Sequence, residues 1–201
     1  MTPEFIFDFG SPNAYLAWKV LPEIEARTGA RFTHTPCLLG AIFKATGNQS
    51  PMMANANIPA KMAYDMLEMQ RFIARHGLTR FQMNPHFPVN TLTIMRGAIA
   101  ADRAGQFEAY VAAVFAAMWE EGLKMDDAAV IAARLDAAGL PGEDLIAATQ
   151  APDVKAALIA NTERAVARGA FGIPAFFIGD AMWFGKDRLR DVEEALTAPR
   201  R

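Results

Sequence analysis

One cysteine, Cys37, is all the thiol that these 201 residues contain. That excludes an intrachain disulfide and a cysteine-rich metal centre. A lone cysteine fits a reducing compartment, and Cys37 reads as a buried apolar filler. Long apolar runs are missing too. The stretch AAVFAAMW (112–119) falls well short of a membrane span. Residues 1–9 have no basic segment followed by an apolar one, and Asp8 interrupts them, so no secretory signal is read. A soluble, cytoplasmic protein is the expectation. Basic tracts are also absent. The 20 Lys and Arg and 22 Asp and Glu are interspersed, for a net charge of −2, which argues against a nucleic-acid partner. The three histidines, His34, His76 and His86, fall in no triad or HExxH spacing, and the 11 methionines are scattered, so no metal site is read.

What is present is ample apolar residue, 52% of the chain, enough for one large domain or two small ones. Phe5 to Phe9 read as a buried strand. Ser11 then suits a helix cap and Pro12 the first helical position. Leu16, Val20, Leu21 and Ile24 form an apolar stripe that stops at Thr28-Gly29. ARFTHTP (30–36) is a second strand. Residues 38–56 are rich in turn formers, and no strand signal appears between 38 and 170. The spacing predicts helices over about 59–76, 91–104, 107–120, 126–138, 143–149 and 152–169, the fourth capped by Asp126 or Asp127. The end reverts to α/β character. Ala175–Ile178 and Ala181–Phe184 read as a hairpin across Gly179-Asp180, and Lys186–Leu196 as an amphipathic helix. Neither strand pair makes a credible sheet alone. Together they predict one α/β domain, residues 1–37 with 152–201, around an inserted helical domain at 38–151. A cleft between the two is the natural pocket.

The blocks FDFGSPNAYLA (7–17), FKATGNQSP (43–51), HFPVNT (86–91), VFAAMW (114–119) and FGIPAFFIGDAMWFGKDRL (171–189) carry a resemblance. The chain resembles the 2-hydroxychromene-2-carboxylate isomerases, which belong with the kappa-class glutathione transferases and the DsbA-like oxidoreductases. The resemblance implies a thioredoxin-like fold with a large all-helical insertion, of the DsbA and kappa glutathione transferase type. Where disulfide oxidoreductases of this fold carry CxxC, this chain has Ser11-Pro12-Asn13-Ala14, so dithiol chemistry by that motif is excluded. Two positions depart from the resembling family. A bulkier residue often stands at Gly10, and an aromatic followed by serine at Asn13-Ala14.

Read from its own surroundings, Ser11 is either a cap or a hydroxyl at the positive end of a helix. No G-x-S-x-G surrounds it, so a hydrolase nucleophile is not read. The resemblance assigns Ser11 the role of holding and activating the thiol of glutathione. It also implies a cis Pro174, with the backbone of Ile173 pairing with the cysteinyl part of that cofactor. The segment Phe184, Gly185, Lys186, Asp187 and Arg188 would take the γ-glutamyl end. Asp187 would meet its ammonium and the early helix amides its carboxylate. Alone, Asp187 reads equally as a cap. Substrate contacts are implied at Lys44, Asn55, Asn57, Asn84 and Asn90. Lys44 alone reads as a solvated charge, and the last two asparagines as turn residues. Arg71 and Arg96 read as surface charges that could add positive field. Trp119 reads as core.

The activity implied is glutathione-dependent isomerisation of 2-hydroxychromene-2-carboxylate and trans-o-hydroxybenzylidenepyruvate, or a polycyclic analogue, by reversible thiolate addition. The alternatives are a kappa-type glutathione transferase or peroxidase, and a non-catalytic thioredoxin-like binding module. The partners implied are glutathione, a small aromatic carboxylate and a second copy of the chain.

Overall fold

Two strands from each end of the chain meet in one sheet. The computed structural model describes residues 2–198. Met1 of the first predicted α/β piece and residues 199–201 of the second lie outside them. The strands are β1 (Glu4–Phe7), β2 (Thr33–Pro36), β3 (Ala175–Ile178) and β4 (Ala181–Phe184), in the order β2-β1-β3-β4. β1 and β2 run parallel, and the other two pairings are antiparallel, with Ile6 opposite Ala175. The parallel pair requires a crossover, supplied by helix α1 (Pro12–Thr28).

Aromatic residues make the sheet's core. Phe5, Phe7, Phe9 and Phe176 are fully buried, with Phe5 stacked on Phe7 at 5.7 Å and on Phe176 at 5.4 Å. Each such burial contributes about 1.5–3 kcal/mol. α1 starts and stops as its sequence dictates. The Ser11 side chain caps it, Pro12 fills the first position, and Gly29 ends it in the left-handed region at φ 71°. The first strand is shorter than expected at its far end. Asp8 leaves the ladder because its carboxylate accepts from the backbone N–H of Gly10 and of Leu39, both at 2.8 Å.

Between β2 and β3 the described chain is helical. The elements are α2 (Leu39–Thr46), α3 (Pro51–Ala54), α4 (Pro59–Arg75), α5 (Leu92–Arg103), α6 (Phe107–Trp119), α7 (Ala128–Ala137), α8 (Gly142–Ala148) and α9 (Pro152–Ala167). A 3₁₀ turn (Lys186–Arg188) and α10 (Leu189–Thr197) close the fold. Asp127, not Asp126, caps α7. The turn-rich reading of 38–56 missed two helices. α2 has no side-chain cap of its own. Its first free amides are taken by distant residues: Leu38 N–H by the Thr162 hydroxyl at 3.0 Å, and Leu39 N–H by Asp8. No local signal announces such a start.

α5 and α6 lie close because Gly97 has no side chain. A Cβ there would fall 1.9 Å from the Tyr110 hydroxyl, which donates instead to the Ile94 carbonyl at 2.9 Å. Trp119, fully buried, donates its indole N–H to the Phe9 carbonyl at 2.7 Å. The helical segment is thereby pinned to the turn after β1, two residues before Ser11.

Candidate functional site

Ser11 stands at the junction of β1 and α1 with an extended backbone, φ −96° and ψ 112°. Its hydroxyl makes two bonds. It accepts from the Ala14 N–H at 3.1 Å, as a cap does, and donates to the Ile173 carbonyl at 3.3 Å. The side chain is buried. In the first turn of α1, the Ala14 and Tyr15 amides are paired to Ser11, and Pro12 has none. Among the described residues the Asn13 N–H has no acceptor, and the Asn13 Oδ1 atom is buried without a donor. One free amide at the positive end of a 17-residue helix suits a negative group.

The second wall is the loop before β3. The Ile173–Pro174 peptide bond is cis. The Ile173 carbonyl takes the Ser11 hydroxyl, while its N–H has no acceptor among the described residues. The Pro174 carbonyl accepts from Gly185 N–H at 2.9 Å, which brings the 184–188 segment alongside. Gly185 adopts φ 90°, a conformation that favours glycine. Phe171 and Phe184 pack ring to ring at 4.5 Å, and both are partly exposed. The Asn48 side chain donates to the Phe171 carbonyl at 2.8 Å and ties the FKATGN segment to this loop. Lys186 is buried, with its ammonium 5.0 Å above the Phe72 ring and 2.5 Å from the exposed Asp187 carboxylate.

Beneath Ser11 lies Asp8, which sequence reading noticed only as a break in an apolar run. It is almost completely buried. Burial pushes its carboxyl above the ordinary value, against the bonds from Gly10, Leu39 and Thr91 that favour the charge. A Cβ on Gly10 would lie 3.0 Å from the Thr91 methyl. The missing side chain at that position is what lets Thr91 and Asp8 pack under the turn. A buried acid two residues before a glycine was the available signal.

The predicted substrate residues are placed differently from one another. Lys44 is exposed on α2, and Asn57 is exposed beside α3. Asn55 is buried and donates to Asp65 at 3.5 Å. Asn84 is committed to the backbone. It donates to the carbonyls of Met118 and Leu123 and accepts from His86 N–H. Asn90 accepts from Leu92 N–H at the start of α5, as a turn residue does. Cys37 is buried, and burial pushes its thiol up to about 12, so it remains a thiol. Among the described residues no three His, Cys, Asp or Glu gather as a metal would need, and no helix is long and apolar enough to cross a membrane.

The sheet order, a cis-proline beside the start of α1 and the helical segment between β2 and β3 together describe a known architecture. A family model for the DsbA-like thioredoxin domain matches residues 4–197. The chain belongs to the DsbA-like thioredoxin family. Within that family it falls with the 2-hydroxychromene-2-carboxylate isomerases. The Pseudomonas putida protein of that name is 30% identical over 98% of this chain and 94% of its own length. A solved structure of such an isomerase superposes with a TM-score of 0.79 at 29% identity, over 98% of this chain and 94% of that one. Rat glutathione S-transferase kappa 1 is 26% identical over 92% of this chain and 86% of its own. The thioredoxin-like fold with a helical insertion is thus the fold of this family member.

Proposed function

We propose that this protein is an isomerase that uses glutathione to interconvert 2-hydroxychromene-2-carboxylate and trans-o-hydroxybenzylidenepyruvate, or a polycyclic analogue. The observation that carries the reading is the Ser11 hydroxyl, bonded to the carbonyl before a cis-proline where relatives of this fold keep a thiol. Relatives bearing the isomerase name and the kappa transferase name support it. The residues fit a peptide thiol. Among the described residues the Ile173 N–H, in the bend before β3, has no acceptor, nor has the Asn13 N–H at the helix start, and the Ser11 hydroxyl bonds the Ile173 carbonyl.

When bound, glutathione supplies a thiolate whose reversible addition turns a conjugated double bond into a single bond free to rotate. The chain's own part is to hold and to orient. Ser11 can turn its hydroxyl from the Ile173 carbonyl toward an anionic sulfur and donate one charge-assisted bond. The Asn13 amide and the α1 dipole favour the same charge. Ile173 offers its N–H to an extended peptide. Asp187, exposed beside Lys186, receives an ammonium, and Gly185, Arg188 and Phe184 shape that end. Lys44 and Asn57 are exposed and free to meet an organic acid, whereas Asn55 is buried and bonded to Asp65. We leave Asn84 and Asn90 out, because their side chains already serve the backbone.

The test is an absorbance assay of hydroxychromene isomerisation with and without glutathione, together with analysis of products. We expect turnover only with glutathione present, and no conjugate. Equal turnover without glutathione overturns the cofactor. A conjugate that accumulates favours the kappa-type transferase, and no glutathione binding at millimolar concentration favours a non-catalytic binding module.

A further inference from the structure

A cavity lies between α2, α5 and α9, with a volume of about 400 Å³. That is within the range of small-molecule sites. None of Ser11, Ile173, Pro174 or the 184–188 segment lines it. Its walls are apolar: Leu38 and Ala45 from α2 and its cap, Leu92 from α5, Leu158 and Val166 from α9. Three charged side chains complete the lining, Arg96, Lys155 and Glu163.

Arg96 is the informative one. Its Nε atom is buried and has no hydrogen-bond partner. Among the described residues no carboxylate lies within ion-pair distance of Arg96, Glu163 included. An Nε–H withdrawn from water and left unpaired is destabilising until a ligand accepts from it. Its neighbour Lys155 adds a second cation, so the lining carries net positive charge. An anion that brings an apolar body would satisfy both the donor and the walls. Arginine's Nε and one terminal nitrogen form a fork that fits a carboxylate edge-on.

We propose that this cavity is a second ligand site, for a small apolar carboxylate held by Arg96. The site is separate from the Ser11 groove in its residues and does not rest on the glutathione reading. The carboxylate lies against Arg96, and the apolar body fills the space between Leu92 and Leu158.

Titration calorimetry without glutathione tests it, with 2-naphthoate as probe and 2-naphthalenemethanol as its neutral counterpart. We expect saturable one-to-one binding of the acid and at least about tenfold weaker binding of the alcohol, as for loss of a charged hydrogen bond. Arg96→Met weakens the acid by about tenfold or more on the same ground. Ile159→Glu, on the exposed rim of the cavity, keeps the fold and also weakens the acid by setting a negative charge beside it. Ser11→Ala leaves naphthoate binding unchanged. The proposal is overturned if naphthoate does not bind, if the alcohol binds equally well, or if binding survives both Arg96→Met and Ile159→Glu. It is also overturned if Ser11→Ala abolishes binding. Glutathione-dependent turnover is a separate measurement, so either proposal can fail while the other stands.

Discussion

The Ser11 face and the arm formed by α3 and α4 are built on opposite terms. Around Ser11 the side chains are closed in, and the polar groups without a partner, the Asn13 amide and Oδ1 and the Ile173 amide, gather at one helix start. Asp8, Ser11, Ile173 and Lys186 are all buried. On the arm, Met52, Met53, Ile58, Tyr64, Met66 and Leu67 face outward, and Phe72 is the one residue of α4 that is buried. Yet both regions are announced alike in sequence. Pro12 and Pro59 each open a 17-residue helix, and both helices contain good helix formers. The difference teaches that propensity sets the helix while tertiary burial sets its stability. α1 buries seven residues against the sheet and its helices, whereas α4 buries Phe72 alone.

Hydrogen exchange would sharpen that contrast most. Amides of Leu16 to Leu21 in α1 should exchange only through global opening, and those of Lys61 to Leu67 in α4 at least about a thousandfold faster. Comparable protection in both would mean that the arm is covered in solution. Next in size is Ser11→Ala. Turnover should fall by roughly a hundredfold, the scale of a lost anion-stabilising donor, while the missing cap costs only about 1 kcal/mol in denaturant unfolding. Unchanged turnover would remove Ser11 from the proposed chemistry.

A smaller effect separates the closed region from the arm in stability alone. Trp119→Phe removes the indole donor to the Phe9 carbonyl and leaves a void, for a loss of about 2–4 kcal/mol. Leu67→Gln on the arm should shift unfolding by no more than about 0.5 kcal/mol. Equal losses would erase the distinction. The smallest effect belongs to Asp8. Its carboxyl titrates above the ordinary value in the folded protein, because burial outweighs its bonds. The folded state then keeps a proton that the unfolded chain has released. That contribution to stability is present in full below the unfolded value and is lost as pH rises through the folded one. Asp8→Asn has no such titration. The unfolding free-energy gap between wild type and variant should therefore narrow as pH rises above about 4. A gap that widens would show the backbone N–H groups outweighing burial.

Much of the architecture was legible before any coordinates. The strands at both ends, the capped α1, the long helices after 58 and the buried Trp119 follow from periodicity, proline and glycine placement and aromatic content. Ser11 was legible as a cap, and the cis bond at Pro174 through the resemblance. The start of α2 was not, since its amide partners lie on Asp8 and Thr162. Nor was the use of Asn84 as a backbone clamp, which depends on the end of α6 and the loop after it coming to the same side chain. The aromatic pair Phe171 and Phe184, and Asn48 reaching the Phe171 carbonyl, likewise join segments far apart in the chain.

By itself the amino-acid order determined that this is an α/β protein with helices inserted, that a hydroxyl and no thiol stands at the head of α1, and that no disulfide forms within the chain. These follow from local conformational preference and from composition. Only the tertiary structure decided that Ser11 donates to the Ile173 carbonyl, that Asp8 is sealed beneath the turn, and that Arg96 lines a cavity with its Nε buried and unpaired. Each depends on which distant groups are brought within hydrogen-bonding reach and out of water, and that is settled by packing rather than by neighbours along the chain.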